Sequence, residues 1–225
     1  MTLIPQAPDL AWLSSLVYED RPLSRLHQRG FELLASFDHN DSEGMLVANG
    51  TWNALVFRGT EATKLHWRDI FSNAGLPARW TGQGRIHSGY LRYLNMVRYD
   101  ARRMLEDVSS DMPVFVAGHS LGGAVATAFA SWWYGDSVNV AGGYKLAGLV
   151  TFGAPKVLTQ YGCDAIKCPI ERDVMAGDLA PWHPVSFMLT HPVPATKLKP
   201  AKWWRPTPVA RHSAEGYAIS RAKVG

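Results

Sequence analysis

The hydrophobic positions of the chain follow two spacings, one typical of helices and one typical of buried strands. Apolar residues three or four apart predict amphipathic helices at residues 8–18 and 87–108. A third helix is predicted at residues 123–133, a segment rich in alanine and other apolar residues. Short apolar runs predict buried strands at residues 45–48, 54–57, 114–117 and 149–152, and residues 170–176 are a further strand candidate. The first two strands are separated by Asn49-Gly50, a dipeptide that favours the tight turn of a hairpin.

Strands and helices therefore alternate along most of the chain. This order predicts an α/β fold, with a mostly parallel sheet covered by helices on both faces. A length of 225 residues is that of one domain with a full core, so we expect residues 1–225 to form a single domain. After Pro181 the chain is rich in Pro and Trp, and we expect loops, a short hairpin and a final helical turn or two after His212.

Composition and charge exclude several classes of protein. A hydrophobic content of 47% with 19% charged residues excludes a disordered chain. No apolar run reaches the ~18 residues of a membrane-spanning helix. A net charge of +4 without a basic helix or a known motif argues against nucleic-acid binding. The oligomeric state is left open by the sequence.

The first residues of the chain lack a basic segment followed by an apolar core, which is the pattern of a secretory signal. We therefore expect a cytoplasmic protein, with non-classical secretion or earlier removal of a signal as the alternatives. Cys163 and Cys168 have no further Cys or His nearby to complete a zinc site, so no metal is expected. We expect both to be reduced thiols, with a small local disulfide as the alternative.

The segment Gly118-His119-Ser120-Leu121-Gly122 lies between a predicted strand and a predicted helix. A serine on such a sharp turn projects its hydroxyl above the sheet, where a base and a substrate carbonyl can reach it. Glycines on both sides allow the strand and the helix to approach closely. Ser120 is therefore the candidate nucleophile; the alternative is an ordinary glycine-rich turn in which the serine caps the helix.

A nucleophilic serine needs a base and an acid that orients the base, and in this type of fold they follow it in the order acid, then histidine. Asp178 follows the predicted strand at 170–176 and is the candidate acid, because functional groups collect at the carboxyl ends of parallel strands. Its rivals are Asp136, Asp164 and Asp173. We expect Asp173 to form a surface ion pair instead, since Arg172 is its neighbour.

Three histidines follow the candidate acid. His183 is too close to Asp178 in the sequence to extend beyond it, so His212 is the candidate base and His191 is the runner-up. His119 adjoins Ser120, but neighbours on a tight turn diverge, so we expect it to point away and to be structural.

The tetrahedral intermediate of acyl transfer carries an oxyanion that needs two hydrogen-bond donors. One is expected to be the backbone N–H of Leu121, which directly follows the nucleophile. Thr60, after the strand at 54–57, is the candidate for the second, with its N–H and its hydroxyl.

Five segments of the chain resemble, in their order, the class 3 lipases, the filamentous-fungal type of α/β-hydrolase. They are Phe57-Arg58-Gly59-Thr60, His87-Ser88-Gly89-Tyr90, Gly118-His119-Ser120-Leu121-Gly122-Gly123, Thr151-Phe152-Gly153-Ala154-Pro155-Lys156-Val157 and the Asp178 loop. The chain departs from the family pattern at Leu179-Ala180-Pro181 and in the Pro- and Trp-rich segment before His212.

The resemblance implies hydrolysis of acylglycerols or related carboxylic esters, without a cofactor. It places Ser120, Asp178 and His212 in the catalytic triad, and Thr60 with Leu121 in the oxyanion hole. A lipid or another small ester would be the substrate, and the chain would be a lipase or a carboxylesterase. The alternatives are a phospholipase A1, a feruloyl-type esterase, an acyltransferase, or a catalytically silent lipid-binding protein with the same fold.

Two segments are candidates for contact with lipid. In the class 3 lipases a lid lies between the two motifs that here bound residues 61–86, and Trp67, Ile70 and Phe71 would face the substrate. The alternative is a fixed packing segment. Residues 191–212 contain five Lys or Arg residues, no Asp or Glu, and the pair Trp203-Trp204. They could bind an anionic lipid surface transiently, or form a solvated basic loop, which we favour.

Overall fold

The computed structural model describes residues 4–39, 42–59, 78–79, 84–108, 111–135, 145–200 and 207–224. Its strands are β1 (Glu32–His39), β2 (Ser42–Ala48), β3 (Asn53–Phe57), β4 (Ala78–Arg79), β5 (Arg85–Ile86), β6 (Val114–His119), β7 (Leu146–Phe152), β8 (Ile170–Met175) and β9 (Thr196–Leu198). Its α-helices are α1 (Ala7–Leu16), α2 (Leu23–Gln28), α3 (Ser88–Glu106), α4 (Leu121–Gly135), α5 (Gln160–Asp164), α6 (Pro208–Arg211) and α7 (Ala214–Arg221), with a 3₁₀ turn at Ala180–Trp182.

Seven strands form one sheet in the order β1-β2-β3-β6-β7-β8-β9. The pairs from β3 to β9 are parallel, and β1, β2 and β3 are antiparallel neighbours. The predicted hairpin is present as β2 and β3, with the turn at Asn49-Gly50 between them. The predicted fold class, a mostly parallel sheet flanked by helices, is confirmed.

Helices cover both faces of the sheet. Apolar side chains of α3 and α4 pack with one face, where Leu94, Val97 and Phe129 are buried. Residues of α1 and α7 pack with the other face, where Leu10, Leu13 and Tyr217 are buried. The parallel strands are thus buried on both sides, which explains their continuous apolar runs. No helix in the described ranges is long and apolar enough to cross a membrane.

The two outermost strands, β1 and β9, were missed by the sequence analysis. In β1 most residues are exposed or half-buried, and β9 has three residues with two of them exposed. In β1 every second residue is exposed, so no continuous apolar run marks it, and β9 is too short to show a pattern. Thr196 pairs with Asp173 of β8, and a partner that distant in sequence gives no local signal.

A buried ionic cluster joins α7 to the sheet. Arg221 pairs with Glu171 and lies 3.4 Å from Asp173 Oδ1, and the backbone N–H of Ile4 donates to Glu171 at 3.1 Å. The expectation that Asp173 forms a surface ion pair is wrong, because its side chain is fully buried and faces Arg221. Burial is the main cause that raises the pKa of Asp173 to about 7; Arg221 lowers it and Glu171 raises it.

Candidate active site

Ser120 is the single residue between the end of β6 and the start of α4. Its φ is +58°, the one positive φ outside glycine in the described part of the chain. This conformation is costly for a residue with a Cβ, and such strain is concentrated at functional sites. The turn is held by the Ser120 N–H, which donates to Phe152 O at 2.9 Å, and by its carbonyl, which accepts from Ala124 N at 3.0 Å.

The glycines beside Ser120 are required by close approach of the backbone. A Cβ on Gly122 would overlap the carbonyl of Phe57 at the end of β3, and one on Gly118 would overlap the carbonyl of Gly122. The absence of these Cβ atoms lets α4 begin directly against the strand ends. Leu121, the candidate oxyanion donor, is the first residue of this helix. The partial positive charge of a helix N-terminus suits an anion there.

Asp178 lies just after β8, at the same end of the parallel strands as Ser120, and 2% of it is exposed. Three donors hold its carboxylate: Ala180 N–H to Oδ1 at 2.9 Å, and His212 Nδ1 and the Tyr217 hydroxyl to Oδ2, each at 2.7 Å. Gly153 gives the carboxylate its space, since a Cβ there would lie 2.8 Å from Oδ2.

His212 lies between α6 and α7 and is buried. Because Nδ1 donates to Asp178, the proton of the neutral ring is on Nδ1, and Nε2 is the basic nitrogen. Ser213 caps α7 by accepting from Gly216 N at 2.9 Å, and this cap fixes the start of the helix directly after His212.

His119 is part of the site wall. Its ring centroid lies 4.7 Å from that of His212, and its Nδ1 lies 3.1 Å from the Tyr18 hydroxyl. Burial, and next the proximity of His212, hold the pKa of His119 well below its usual value, so the ring stays neutral. The sequence predicts only a structural role for His119 and gives no indication of its contact with His212.

Tyr217 is the other residue that the sequence analysis missed. Its hydroxyl accepts from the backbone N–H of Met175 at 2.8 Å and donates to Asp178. Burial, and next the charge of Asp178, raise the pKa of Tyr217 well above its usual value, so it remains a donor. No motif marks this tyrosine, because its position depends on how α7 packs on the sheet.

The rivals for acid and base lie in other surroundings. Nε2 of His191 lies 2.8 Å from the carbonyl of Pro181, and burial, followed by the charge of Arg172, lowers the pKa of His191 to about 4. Asp164 accepts from its own helix neighbour Gln160 at 2.7 Å. Asp136 lies outside the described residues.

Several predicted residues lie outside the described part of the chain: Thr60, Trp67, Ile70 and Phe71, with most of the hypothesised lid at 61–86 and the pair Trp203-Trp204. Gly59, directly before Thr60, lies against the turn that holds Ser120, because a Cβ on it would come 2.7 Å from the carbonyl of His119. Within residues 61–86, the described strands β4 and β5 pair antiparallel. Cys163 and Cys168 are free buried thiols, as predicted.

Comparison with solved structures shows the same fold in fungal lipases. A lipase from Rhizopus microsporus var. chinensis matches with a TM-score of 0.69 and 21% identity, over 88% of this chain and 75% of that one. The native Rhizomucor miehei lipase propeptide complex matches with a TM-score of 0.67 and 17% identity, over 95% and 76%. A triacylglycerol lipase described as having a serine protease triad at its catalytic centre matches with a TM-score of 0.64 and 19% identity, over 86% and 80%.

Sequence comparison gives the family. Lipase A of Sodiomyces alcalophilus is 31% identical over 124 residues, which are 52% of this chain and 28% of that protein. The chain thus spans little more than a quarter of that relative. The sequence profile of the family described as Lipase (class 3) matches residues 54–187, which is more than half of the chain and includes both Ser120 and Asp178. The chain therefore belongs to the class 3 lipase family.

Proposed function

We propose that this protein is a serine hydrolase of carboxylic esters, with acylglycerols or related lipid esters as substrates. Ser120 is the nucleophile, His212 the general base and Asp178 the acid that orients it. The observation that carries the proposal is the 2.7 Å contact between His212 Nδ1 and Asp178 Oδ2, at the same end of the parallel strands as a serine held at positive φ. Membership of the class 3 lipases supports the same chemistry.

The reaction has two halves. The Ser120 hydroxyl oxygen attacks the ester carbonyl carbon while His212 Nε2 takes the hydroxyl proton, which gives a tetrahedral oxyanion. Collapse of this intermediate breaks the bond to the alcohol, which leaves with the proton from His212. Water then attacks the acyl-enzyme, gives its proton to the same nitrogen, and the carboxylic acid leaves as Ser120 regains a proton.

Two groups are proposed to stabilise the oxyanion. The N–H of Leu121 would donate from the first turn of α4, and Thr60 would supply the second donor from the end of the β3 loop. Gly59 supports this role for Thr60, since it lies against the nucleophile turn. Loss of one such donor typically costs about 3 kcal/mol of transition-state stabilisation.

Asp178 contributes orientation and charge. Its carboxylate keeps the proton of neutral His212 on Nδ1, so that Nε2 can accept the serine proton, and it stabilises the imidazolium that follows. Because three donors from separate residues hold both oxygens, the carboxylate has little freedom to rotate. A fixed acceptor means that little reorganisation is needed when the charge develops.

The test is hydrolysis of p-nitrophenyl esters from short to long acyl chains. We expect Ser120→Ala, His212→Ala and Asp178→Asn each to lose a thousandfold or more of kcat, on the order of the losses seen for other triads. His191→Ala is the matched control and should keep activity within about threefold, because His191 bonds to Pro181 instead. Equal losses in the His191 and His212 variants would refute the assignment.

The same experiment separates the alternatives. A short-chain optimum would indicate an esterase and a long-chain optimum a lipase, while activity on phospholipid or feruloyl esters alone would indicate the more specialised enzymes. A folded protein that neither hydrolyses any ester nor reacts with a fluorophosphonate at Ser120 would be a silent binding protein, and the proposal would be wrong.

A further inference from the structure

Residues 179–188, the loop that follows the candidate acid, carry an exposed row of large apolar side chains; we call this segment the apolar loop. It exposes Leu179, Trp182, Val185, Phe187 and Met188. Trp182 is 67% exposed, Val185 is 85% exposed, and Phe187 is fully exposed. Soluble proteins scatter such side chains singly, and a concentration of them within ten residues marks an interaction site.

The backbone of the apolar loop is anchored to the rest of the protein. Ala180 N–H donates to Asp178, the Pro181 carbonyl meets His191 Nε2 at 2.8 Å, and the His183 carbonyl accepts from Lys156 N at 2.7 Å. Ala180 and Pro181 are buried, and so is Leu189, directly after the segment. The polar backbone groups are thus engaged inside, while the large apolar side chains project outward.

The location of the loop links it to the candidate active site. It starts one residue after Asp178, at the carboxyl end of β8, where Ser120 also lies beyond β6. A surface that accepted these side chains would lie next to the triad.

The chain from the apolar loop onward is positively charged. The sequence from Leu179 to His212 contains five Lys or Arg residues and no Asp or Glu. Of these, Lys197 and Lys199 are exposed, and Lys199 follows the carboxyl end of the edge strand β9. Lys and Arg near an apolar surface attract anionic lipid headgroups.

We propose that the apolar loop is a fixed docking surface for an anionic lipid–water interface, and that it acts independently of the segment 61–86. Exposed apolar side chains, followed by basic residues and no acidic residue up to His212, match an anionic lipid surface in both apolar character and charge. Trp182 has an apolar ring and one N–H donor, which suits the headgroup region. Docking itself needs no chemistry; that it delivers ester to Ser120 rests on the proposed function.

The test measures co-sedimentation with vesicles, using protein that carries Ser120→Ala so that no lipid is hydrolysed. The vesicles are phosphatidylcholine alone, and phosphatidylcholine with an equal amount of phosphatidylglycerol. We expect preference for the mixed vesicles, and a loss of about a hundredfold in partitioning for Val185→Ser with Phe187→Ser, because each inserted side chain contributes about tenfold.

Leu34→Ser is the matched control. Leu34 is an exposed apolar residue on β1, and its neighbour Leu33 pairs with Val47 of β2. This position lies near the amino ends of the parallel strands, away from the apolar loop. This variant should bind the vesicles as the parent does. Lys197→Glu with Lys199→Glu should reduce binding to the mixed vesicles and leave binding to phosphatidylcholine unchanged. Melting temperatures of all variants check that they are folded.

The proposal is overturned if the parent protein does not bind the mixed vesicles, or if the Val185/Phe187 and Leu34 variants bind them equally. It is also overturned if the protein self-associates and the Val185/Phe187 variant abolishes this, because a second copy of the chain would then be the occupant. Hydrolysis of the p-nitrophenyl ester series, from short to long acyl chains, and fluorophosphonate labelling of Ser120 are measured separately on the wild-type chain. Vesicle binding without hydrolysis would therefore refute the proposed function alone, and hydrolysis without vesicle binding would refute the docking surface alone.

Discussion

Replacement of Tyr217 by Phe removes one hydroxyl group from a buried chain of hydrogen bonds. In this chain the Met175 N–H donates to the Tyr217 hydroxyl, which donates to Asp178 Oδ2, the same oxygen that accepts from His212. Tyr217 does not contact the proposed reacting atoms, so it is a positioning residue that acts through Asp178. The substitution keeps the ring that packs 5.6 Å from His119.

The expected magnitude follows from the two bonds that are lost. A hydrogen bond to a charged group contributes about 1.5–3 kcal/mol, and a buried N–H without its acceptor costs about 1–3 kcal/mol. The two effects share one hydroxyl and are not additive, so we expect Tyr217→Phe to lower the free energy of unfolding by about 2–4 kcal/mol. Asp178 keeps two of its three donors, so kcat should fall by a moderate factor of about ten, with KM unchanged.

The assay pairs urea unfolding with steady-state hydrolysis of a soluble p-nitrophenyl ester. Tyr134→Phe is the matched control, since the Tyr134 hydroxyl donates to Leu146 O at 3.3 Å, near the amino end of β7 and away from the site. It should reduce stability slightly and leave kcat as in the wild type. The rate of fluorophosphonate labelling of Ser120 reports the same positioning effect without a bound ester.

The reasoning is refuted if Tyr217→Phe keeps the wild-type kcat and labelling rate in folded protein. A fall in stability alone would make Tyr217 a packing residue. Equal falls in kcat for the Tyr217 and Tyr134 variants would show a general loss of rigidity in place of a specific effect on Asp178.

Three further predictions concern other buried groups. Gly153→Ala places a Cβ 2.8 Å from Asp178 Oδ2 at a φ of +61°, so ester hydrolysis should fall by about a hundredfold, and wild-type activity would contradict this. Asp173 has its pKa raised to about 7, so the folded state holds a proton that the unfolded chain releases from about pH 4 upward. Relative to Asp173→Asn, the wild type should therefore lose up to about 1.4 kcal/mol of stability per pH unit until about pH 7. A difference in urea midpoint between the two proteins that stays constant across this pH range would refute the prediction. Burial raises the pKa of Cys163 to about 12 and that of Cys168 to about 11, so neither thiol should react with a disulfide reagent in native protein, and both should react in urea.

Much of the fold was predictable because its central elements have local signals. The strands around Ser120 are continuous apolar runs, since they are buried on both faces, and the hairpin turn carries Asn49-Gly50. The edge strands were harder to predict: in β1 the exposed Leu34 interrupts an alternation of apolar inner and polar outer residues, and β9 is only three residues long. Asp173 was misjudged for a related reason: its neighbour Arg172 suggested a surface pair, but the partner is Arg221, 48 residues further along the chain.

The sequence by itself determined the family, the parallel core and the turn that holds Ser120, because each depends on residues that are close together in the chain. It also proposed Asp178 and His212 as acid and base, by chain order and by resemblance to the family, but no local pattern shows that they touch. Only the tertiary structure decided that contact, and with it the roles of Tyr217 and His119 around the carboxylate and the imidazole. Asp178 is 34 residues from His212 and 39 from Tyr217. Contacts over such separations depend on how α7 packs against the sheet, and no local pattern of residues records that packing.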